Sequence, residues 1–320
     1  MTALDASIHT LRQTQPVEII GSVAALRGLS VLVDDLPLPV GSLVRLTRQT
    51  KRSTRGDNDV RGEVVGFDGP RSIVMLFDSA AGITPGMSVV GEQTHQSVMA
   101  GSTLLGRVIN ALGVPIDGKA RPFGLTARPL LGRPTAALSR RRITQPLPTG
   151  VRAIDAMVTL GKGQRVGIFS GPGVGKSTLV GTIARNTAAD VNVIGLMGER
   201  GREVKDFIEH ALGPEGLKRS VVVVATGDES PLLRVRAALV SCAVAEYFRE
   251  QGADVMLMMD SITRFAQAQR QIGLTVGEQP ATKGYTPSVF AMLPVLLERA
   301  GAIEGGGSIT GLYAVLVEGD

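Results

Sequence analysis

The sequence predicts an α/β protein, a small N-terminal β-barrel followed by a core built on a mainly parallel sheet. Two patterns point to it. Between Val17 and Gly91, short apolar runs (VEII, VAAL, SVLV, LVRL, GEVVGF, SIVMLF, MSVV) alternate with Gly, Pro and Asp, and no helix-period stretch interrupts them. Closely spaced short strands of this kind make a barrel or a sandwich. From Gln164 onward, near-continuous apolar segments such as VVVVA and VMLMM alternate with helical stretches, as a parallel sheet covered on both faces requires. The expected organisation is a leader over 1–16, a barrel over 17–95 and the core over 96–320.

In the leader, Leu4, Ile8 and Leu11 fall at i, i+4 and i+7 and give one apolar face to a short helix that needs a partner surface. After Gly101, GSTLLGRVINALGVPIDGK opens a segment that winds through the Pro-rich stretch 122–148. Then come a strand over Gln164–Phe169, a helix over Lys176–Asn186, a strand over Val191–Met197 and a helix over Glu203–Leu212. A strand over Val221–Ala225, a long helix over Leu232–Glu250, a strand over Val255–Met259 and a helix starting near Ile262 complete the alternation.

Composition narrows the chemistry. Hydrophobic residues make up 43% and charged residues 20% of 320 residues, an ordinary globular balance. The single cysteine, Cys242, excludes an internal disulfide, and in AALVSCAVA it reads as a small buried hydrophobe. The opening MTALDASIHTLRQ lacks a secretory signal, and no apolar run nears the ~18 residues needed to cross a bilayer, so a cytoplasmic protein is expected. The net charge of +5 permits contact with nucleic acid without demonstrating it, and the arginines between Arg45 and Arg61 and at Arg140–Arg142 read as solvated loop charge. With no Trp and 3% aromatics, stacking platforms are missing and no nucleic-acid partner is expected. His9, His95 and His210 lack ligand spacing and read as structural.

The strongest motif is a phosphate-binding loop. Strand QRVGIF runs into SGPGVGKST and on into helix KSTLVGTIARN, the order such a loop needs. The segment Gly171, Pro172, Gly173, Val174, Gly175, Lys176, Ser177 and Thr178 is therefore the candidate site for ATP with Mg²⁺. Its glycines let backbone N–H groups turn around phosphate oxygens, and the helix N-terminus adds its positive end. Lys176 is positioned for the β- and γ-phosphates and Ser177 for Mg²⁺. Ser170 stands where the strict pattern has its first Gly. Asp260, ending VMLMMD, is a candidate Mg²⁺ ligand through water, with a helix cap as the alternative. Glu199, at the end of VNVIGLM, sits where it can orient the attacking water, with an ion pair to Arg200 or Arg202 as the alternative. Arg264, one turn after Asp260, either neutralises phosphate charge or pairs with Asp260.

These segments together resemble the export ATPases of type III secretion systems, relatives of the rotary ATP synthase catalytic subunit. The resemblance is carried by GRVINALGVPIDG, PLPTGVRAIDAMVTLGKGQRVGIFSGPGVGKSTL, GERGREVKDFIEHALG and DSITRFAQAQRQIGLTVGEQPATKGYTPSVFAMLPVLLERAG, and it covers about residues 17 to 320. ATKGYTPSVF and the glycines Gly305–Gly307 are more similar to the flagellar branch than to the injectisome branch. The resemblance implies a RecA-like core, a barrel crown and a homohexamer with ATP at subunit boundaries. It also implies catalytic roles for Glu199, Lys176, Arg200 and Arg264, with Ser177 and Asp260 on Mg²⁺. Val276–Tyr285 matches a loop facing the pore and a stalk protein. The other partners implied are a regulatory protein at the leader helix, export substrates with their chaperones, and the membrane export gate. The implied location is the cytoplasmic face of the inner membrane at the flagellar base. Family members continue beyond VLVEGD into a helical domain that supplies an arginine in trans, so nucleotide binding with weak hydrolysis is expected of this chain. Two other classes compete, a hexameric RNA translocase and a non-catalytic nucleotide-binding ring subunit.

Overall fold

The computed structural model describes residues 18–47, 59–93, 96–132, 135–171 and 173–317. The leader with Leu4, Ile8 and Leu11, the positions His9, His95 and Pro172, and the segment 48–58 lie outside the described residues. Contacts divide the chain into two compact units, Met1–His95 and Gln96–Asp320.

In the first unit, β1 (Ile20–Arg27), β2 (Ser30–Asp34), β3 (Leu43–Leu46), β4 (Val60–Asp68), β5 (Arg71–Leu76) and β6 (Ser88–Gln93) close into an antiparallel barrel of order β1-β2-β5-β4-β3-β6. VEII and VAAL, read as two runs, belong largely to one strand, because Ile20 continues without a turn into VAAL. The inward residues are β-branched or leucine: Val23, Val31, Val33, Val44, Leu46, Val64, Val74 and Val89. Each stabilises the fold by about 1.5–3 kcal/mol relative to an exposed side chain. Arg45 departs from the solvated-loop expectation. It stands in β3 with Asp59 at 2.9 Å and Glu92 at 3.0 Å, an ion-paired strand residue.

In the second unit, β7 (Ser97–Ala100) pairs antiparallel with β9 (Thr126–Pro129), and β8 (Arg107–Asn110) joins the large sheet. That sheet adds β10 (Arg165–Ser170), β11 (Val191–Met197), β12 (Ser220–Ala225), β13 (Asp254–Asp260), β14 (Gly301–Ala302) and β15 (Ser308–Leu316). Its order is β10-β15-β13-β11-β12-β8, all parallel, with β14 antiparallel beside β15. Every residue of β11 and β12 is buried, which explains their mainly apolar sequence, and the two polar positions, Asn192 and Ser220, bond to one another at 3.2 Å. The edge strand β10 alternates between exposed and half-buried positions.

The helices are α1 (Arg152–Met157), α2 (Lys176–Asn186), α3 (Gly201–Asp206), α4 (Gly213–Lys218), α5 (Pro231–Glu250), α6 (Ile262–Thr275) and α7 (Pro287–Leu297). Proline opens α5, where its missing N–H costs nothing, and the Ser230 hydroxyl accepts from Leu233 N–H. Helix α5 lies close on β11 because residue 195 is glycine. A Cβ there would sit 2.6 Å from Ser241 Oγ.

The helix expected over Glu203–Leu212 begins at Gly201 as α3 and continues as a π-helical turn over Phe207–Leu212, and α4 follows from Gly213 with φ 66°. The backbone of Ala211 is pressed against Gly181 and its carbonyl accepts from Arg185, so the chain there serves the helix packing. Arg140 is likewise no free loop charge. It pairs with Glu298 at 2.7 Å and donates to the Ala300 carbonyl at 3.2 Å. No helix among the described residues is long and apolar enough to cross a membrane.

Candidate active site

The carboxyl ends of β10, β11 and β13 deliver the candidate residues: the loop and first turn of α2 after β10, Glu199 just past β11, and Asp260 as the last residue of β13. After Ser170 the chain turns through Gly173 (φ 77°) and Gly175 (φ 91°) into α2. A Cβ built at Gly171, Gly173 or Gly175 meets nothing within 4 Å, so the loop faces open space. Glycine is required at 173 and 175 by the positive φ, and the open side is left for a ligand. No side chain caps α2, whose first turn points its amide donors into that space. Lys176 is half-buried and Ser177 and Thr178 are exposed, while Val174 is 68% exposed. Buried Val180, Ile183 and Ala184 fix the helix to the sheet beneath. The Ser170 hydroxyl is buried and has no partner among the described residues. Pro172 lies outside the described residues.

Asp260 is 4% exposed at the end of β13 and accepts from Lys176 Nζ at 2.5 Å. The helix-cap alternative falls to its neighbour, since the Ser261 hydroxyl caps α6 by accepting from Arg264 N–H at 3.4 Å. Only Oδ1 of Asp260 has a partner among the described residues.

Glu199 follows Gly198 (φ 77°) at the end of β11, and its carbonyl accepts from Gly227 N–H at 2.9 Å. Its carboxyl is pushed up to about 7, first by burial, then by the negative charge of Asp260 and a hydrogen bond with Glu203. Lys176 opposes that shift, so Lys176, Asp260 and Glu199 share one electrostatic neighbourhood.

The surface ion pair considered for Glu199 is absent among the described residues. Arg200 is 3.7 Å from Glu203 and Arg202 is 3.9 Å from Asp206. Arg200 projects into solvent, its side chain 86% exposed. Arg264 does not pair with Asp260. Its stem lies along Gly198, its Nη1 donates to Gln267 Oε1 at 3.3 Å, and its buried Nε has no partner among the described residues. The sequence reading missed Glu203 and the Ser261 cap. The GERGRE run does hold the signal for Glu203, since positions 199 and 203 lie one turn apart.

Elsewhere, Val276–Tyr285 forms a loop with a 3₁₀ turn at Thr282–Gly284, and the Arg270 guanidinium lies 6.0 Å from the Tyr285 ring centre. His210 is exposed on the π-helical turn. The Cys242 thiol is fully buried and pushed up to about 12 by burial, which makes it inert.

Comparison with known proteins matches residues 150–320 to the model for the ATP synthase alpha/beta family, nucleotide-binding domain. The chain is 52% identical over 310 residues to the flagellum-specific ATP synthase of Treponema pallidum, covering 97% of this chain and 68% of that protein. It is 47% identical over 323 residues to the type 3 secretion system ATPase of Xanthomonas euvesicatoria, covering 100% of this chain and 70% of that one. Among solved structures it superposes on the assembled ATPase EscN in complex with its central stalk EscO, from the enteropathogenic E. coli type III secretion system. That match has a TM-score of 0.84 and 38% identity, and covers 93% of this chain and 71% of that one.

Proposed function

The chain belongs to the ATP synthase alpha/beta family, and on that premise we propose that it is an ATP-hydrolysing subunit energising export of flagellar proteins through the type III export apparatus. The observation that carries the catalytic reading is the Lys176–Asp260 pair at 2.5 Å beside a Glu199 whose carboxyl is raised to about 7. The flagellar branch is favoured over the injectisome branch by the segments ATKGYTPSVF and Gly305–Gly307, since flagellar relatives at 45–55% identity bracket the injectisome relative at 47%.

In this reading the amides around Gly171–Gly175, Pro172 apart since proline lacks an N–H, cradle the triphosphate with Lys176, Ser177 and Thr178. Lys176 exchanges its carboxylate partner for β- and γ-phosphate oxygens. Ser177 and Asp260 would hold Mg²⁺. Their hard oxygen donors fit it. When bound, the ion neutralises charge on the phosphates. Ionised Glu199 orients the attacking water and accepts its proton, while Arg264 and Arg200 supply positive charge at the rim. A neighbouring subunit completes the site in a homohexamer, with the barrel (17–95) as crown and the core (96–320) as motor. The loop Val276–Tyr285 meets a stalk protein, and the leader 1–16 meets a regulatory protein. Export substrates with chaperones and the membrane export gate complete the partners, at the cytoplasmic flagellar base.

ATP turnover of the purified chain against Lys176→Ala and Glu199→Gln tests the chemistry. Glu199→Gln is expected to bind ATP and lose turnover by about 10²-fold or more. Unchanged turnover in that variant removes Glu199 from the mechanism. Restored motility in a flagellar-ATPase null strain tests the branch, and restored injectisome secretion without motility reverses it.

A further inference from the structure

The phosphate loop and Asp260 stand on strands that are not neighbours. Between β10, which feeds the loop, and β13, which ends in Asp260, runs β15. With adjacent strands about 4.8 Å apart, about 10 Å of sheet separates the two motifs. The Lys176–Asp260 bond spans that gap, but it is the bond Lys176 gives up on taking phosphate. The spacing then rests on β15.

The amides of β15 point alternately to its two neighbours, as in any parallel ladder. Gly311 N–H donates to the Gln164 carbonyl at 2.9 Å and Val317 N–H to the Ser170 carbonyl at 3.0 Å, both on the β10 side. Ser308 N–H donates to the Ala253 carbonyl at 3.2 Å, on the β13 side. By the same alternation Leu316 N–H points to the β13 side, yet β13 pairs with β15 only as far as Met259 with Tyr313. Beyond Asp260 the chain has left the sheet for α6, and the Ser261 carbonyl accepts from the Arg264 and Phe265 amides. The Thr263 hydroxyl fills the place, accepting from Leu316 N–H at 2.9 Å. A threonine in the first turn of α6 thus stands in for the strand that ended. Consecutive amides of β15 then hold both motifs. Leu316 holds the helix that starts after Asp260, and Val317 holds Ser170 at the root of the phosphate loop.

We propose that Thr263 is a positioning residue of the nucleotide site, which keeps the phosphate loop and Asp260 in register once Lys176 has left Asp260 for phosphate. The assignment rests on the nucleotide reading of the loop and adds a residue to it. Without nucleotide, the Lys176–Asp260 bond and the path from Thr263 through Leu316 and Val317 to Ser170 both span the gap. With triphosphate bound, the first is open and the second carries the spacing. Removing the hydroxyl therefore weakens the bound state more than the free one, and ATP affinity falls. A threonine that only finished a strand would affect both states alike.

Equilibrium ATP binding, which needs no hydrolysis, is measured for wild type, Thr263→Val, Thr263→Ala and Thr263→Ser. Thermal melting and hydrogen exchange of the Leu316 amide, each with and without ATP, run alongside. Thr263→Val is expected to raise the ATP dissociation constant by about tenfold and to melt within about 2 °C of wild type without ATP. Its Leu316 amide should exchange faster than wild type chiefly when ATP is bound. Thr263→Ser keeps the acceptor and should bind ATP as wild type does. If Thr263→Val misfolds, Thr263→Ala carries the same comparison. Wild-type ATP affinity in the valine and alanine variants overturns the assignment alone. So does a melting loss that is equal with and without ATP, which marks a purely structural bond, or a serine variant as weak as the valine one. A wild type that binds no ATP overturns the nucleotide reading and this assignment together.

Discussion

Two buried cation–carboxylate pairs in the core are built differently. Arg299 grips Glu246 with two parallel bonds, Nε to Oε1 at 2.7 Å and Nη2 to Oε2 at 2.6 Å, and its Nη1 donates to the Leu130 carbonyl at 2.7 Å. Lys176 and Asp260 are as well buried, yet they share a single bond through one carboxylate oxygen. The first pair uses both carboxylate oxygens and all three guanidinium nitrogens. The second keeps an ammonium and an oxygen in reserve beside an open glycine loop. A saturated pair holds a structure, and an unsaturated one at a crevice is ready to exchange partners.

The largest expected effect comes from breaking the saturated pair. Glu246→Ala leaves Arg299 buried and unpaired, and chemical unfolding should show a loss of about 3–5 kcal/mol. Turnover per folded molecule should stay near wild type, and a selective loss of turnover would erase the distinction. Lys176→Ala should show the opposite balance. Its stability cost should be no more than about 2 kcal/mol, because Asp260 borders a space water can enter, while turnover falls by about 10³-fold. Equal destabilisation by the two variants would mean that both pairs are structural.

The smallest effect sharpens the comparison through pH. Glu199 moves from an ordinary 4.5 to about 7 on folding, so between those values the folded state holds more protons than the unfolded state. Stability from this group is therefore present below about pH 4.5 and is lost as pH rises through about 7. Glu199→Gln should melt higher than wild type at pH 8, by roughly 2 °C given partial solvent screening. The two should converge below about pH 4.5. Wild-type turnover should climb through neutrality as the carboxylate ionises, and a flat profile between pH 6 and 8 would remove the proton-accepting role.

Much of the nucleotide site was legible because its signals are local. The glycines at 173 and 175, the lysine after them and the carboxylates ending apolar strands are fixed by spacing along the chain. The strands β10, β11, β12 and β13 were equally readable, since β11 and β12 are buried along their whole length, whereas β8, β14 and β15 of the same sheet were not read as strands. What escaped depends on contacts distant in sequence. Glu246 and Arg299 lie 53 residues apart, and nothing in AVAEYF or LLERAG announces their union. The π-helical turn at Phe207–Leu212 answers to Gly181 and Arg185 on another helix. The barrel was read with one strand too many because VEII and VAAL carry no mark of being continuous.

Gly198 carries a consequence beyond its own turn. A side chain there would stand 3.0 Å from the Cβ of Arg264, and the stem of that arginine fills the place where it would go. The end of one strand and the start of a helix that follows another are thereby geared together. A shift of α6 would press on the Gly198 backbone, next to Glu199, by steric contact, which salt does not screen. Motion arriving from elsewhere in the molecule would thus have a mechanical route to the water-activating carboxylate, separate from any electrostatic one.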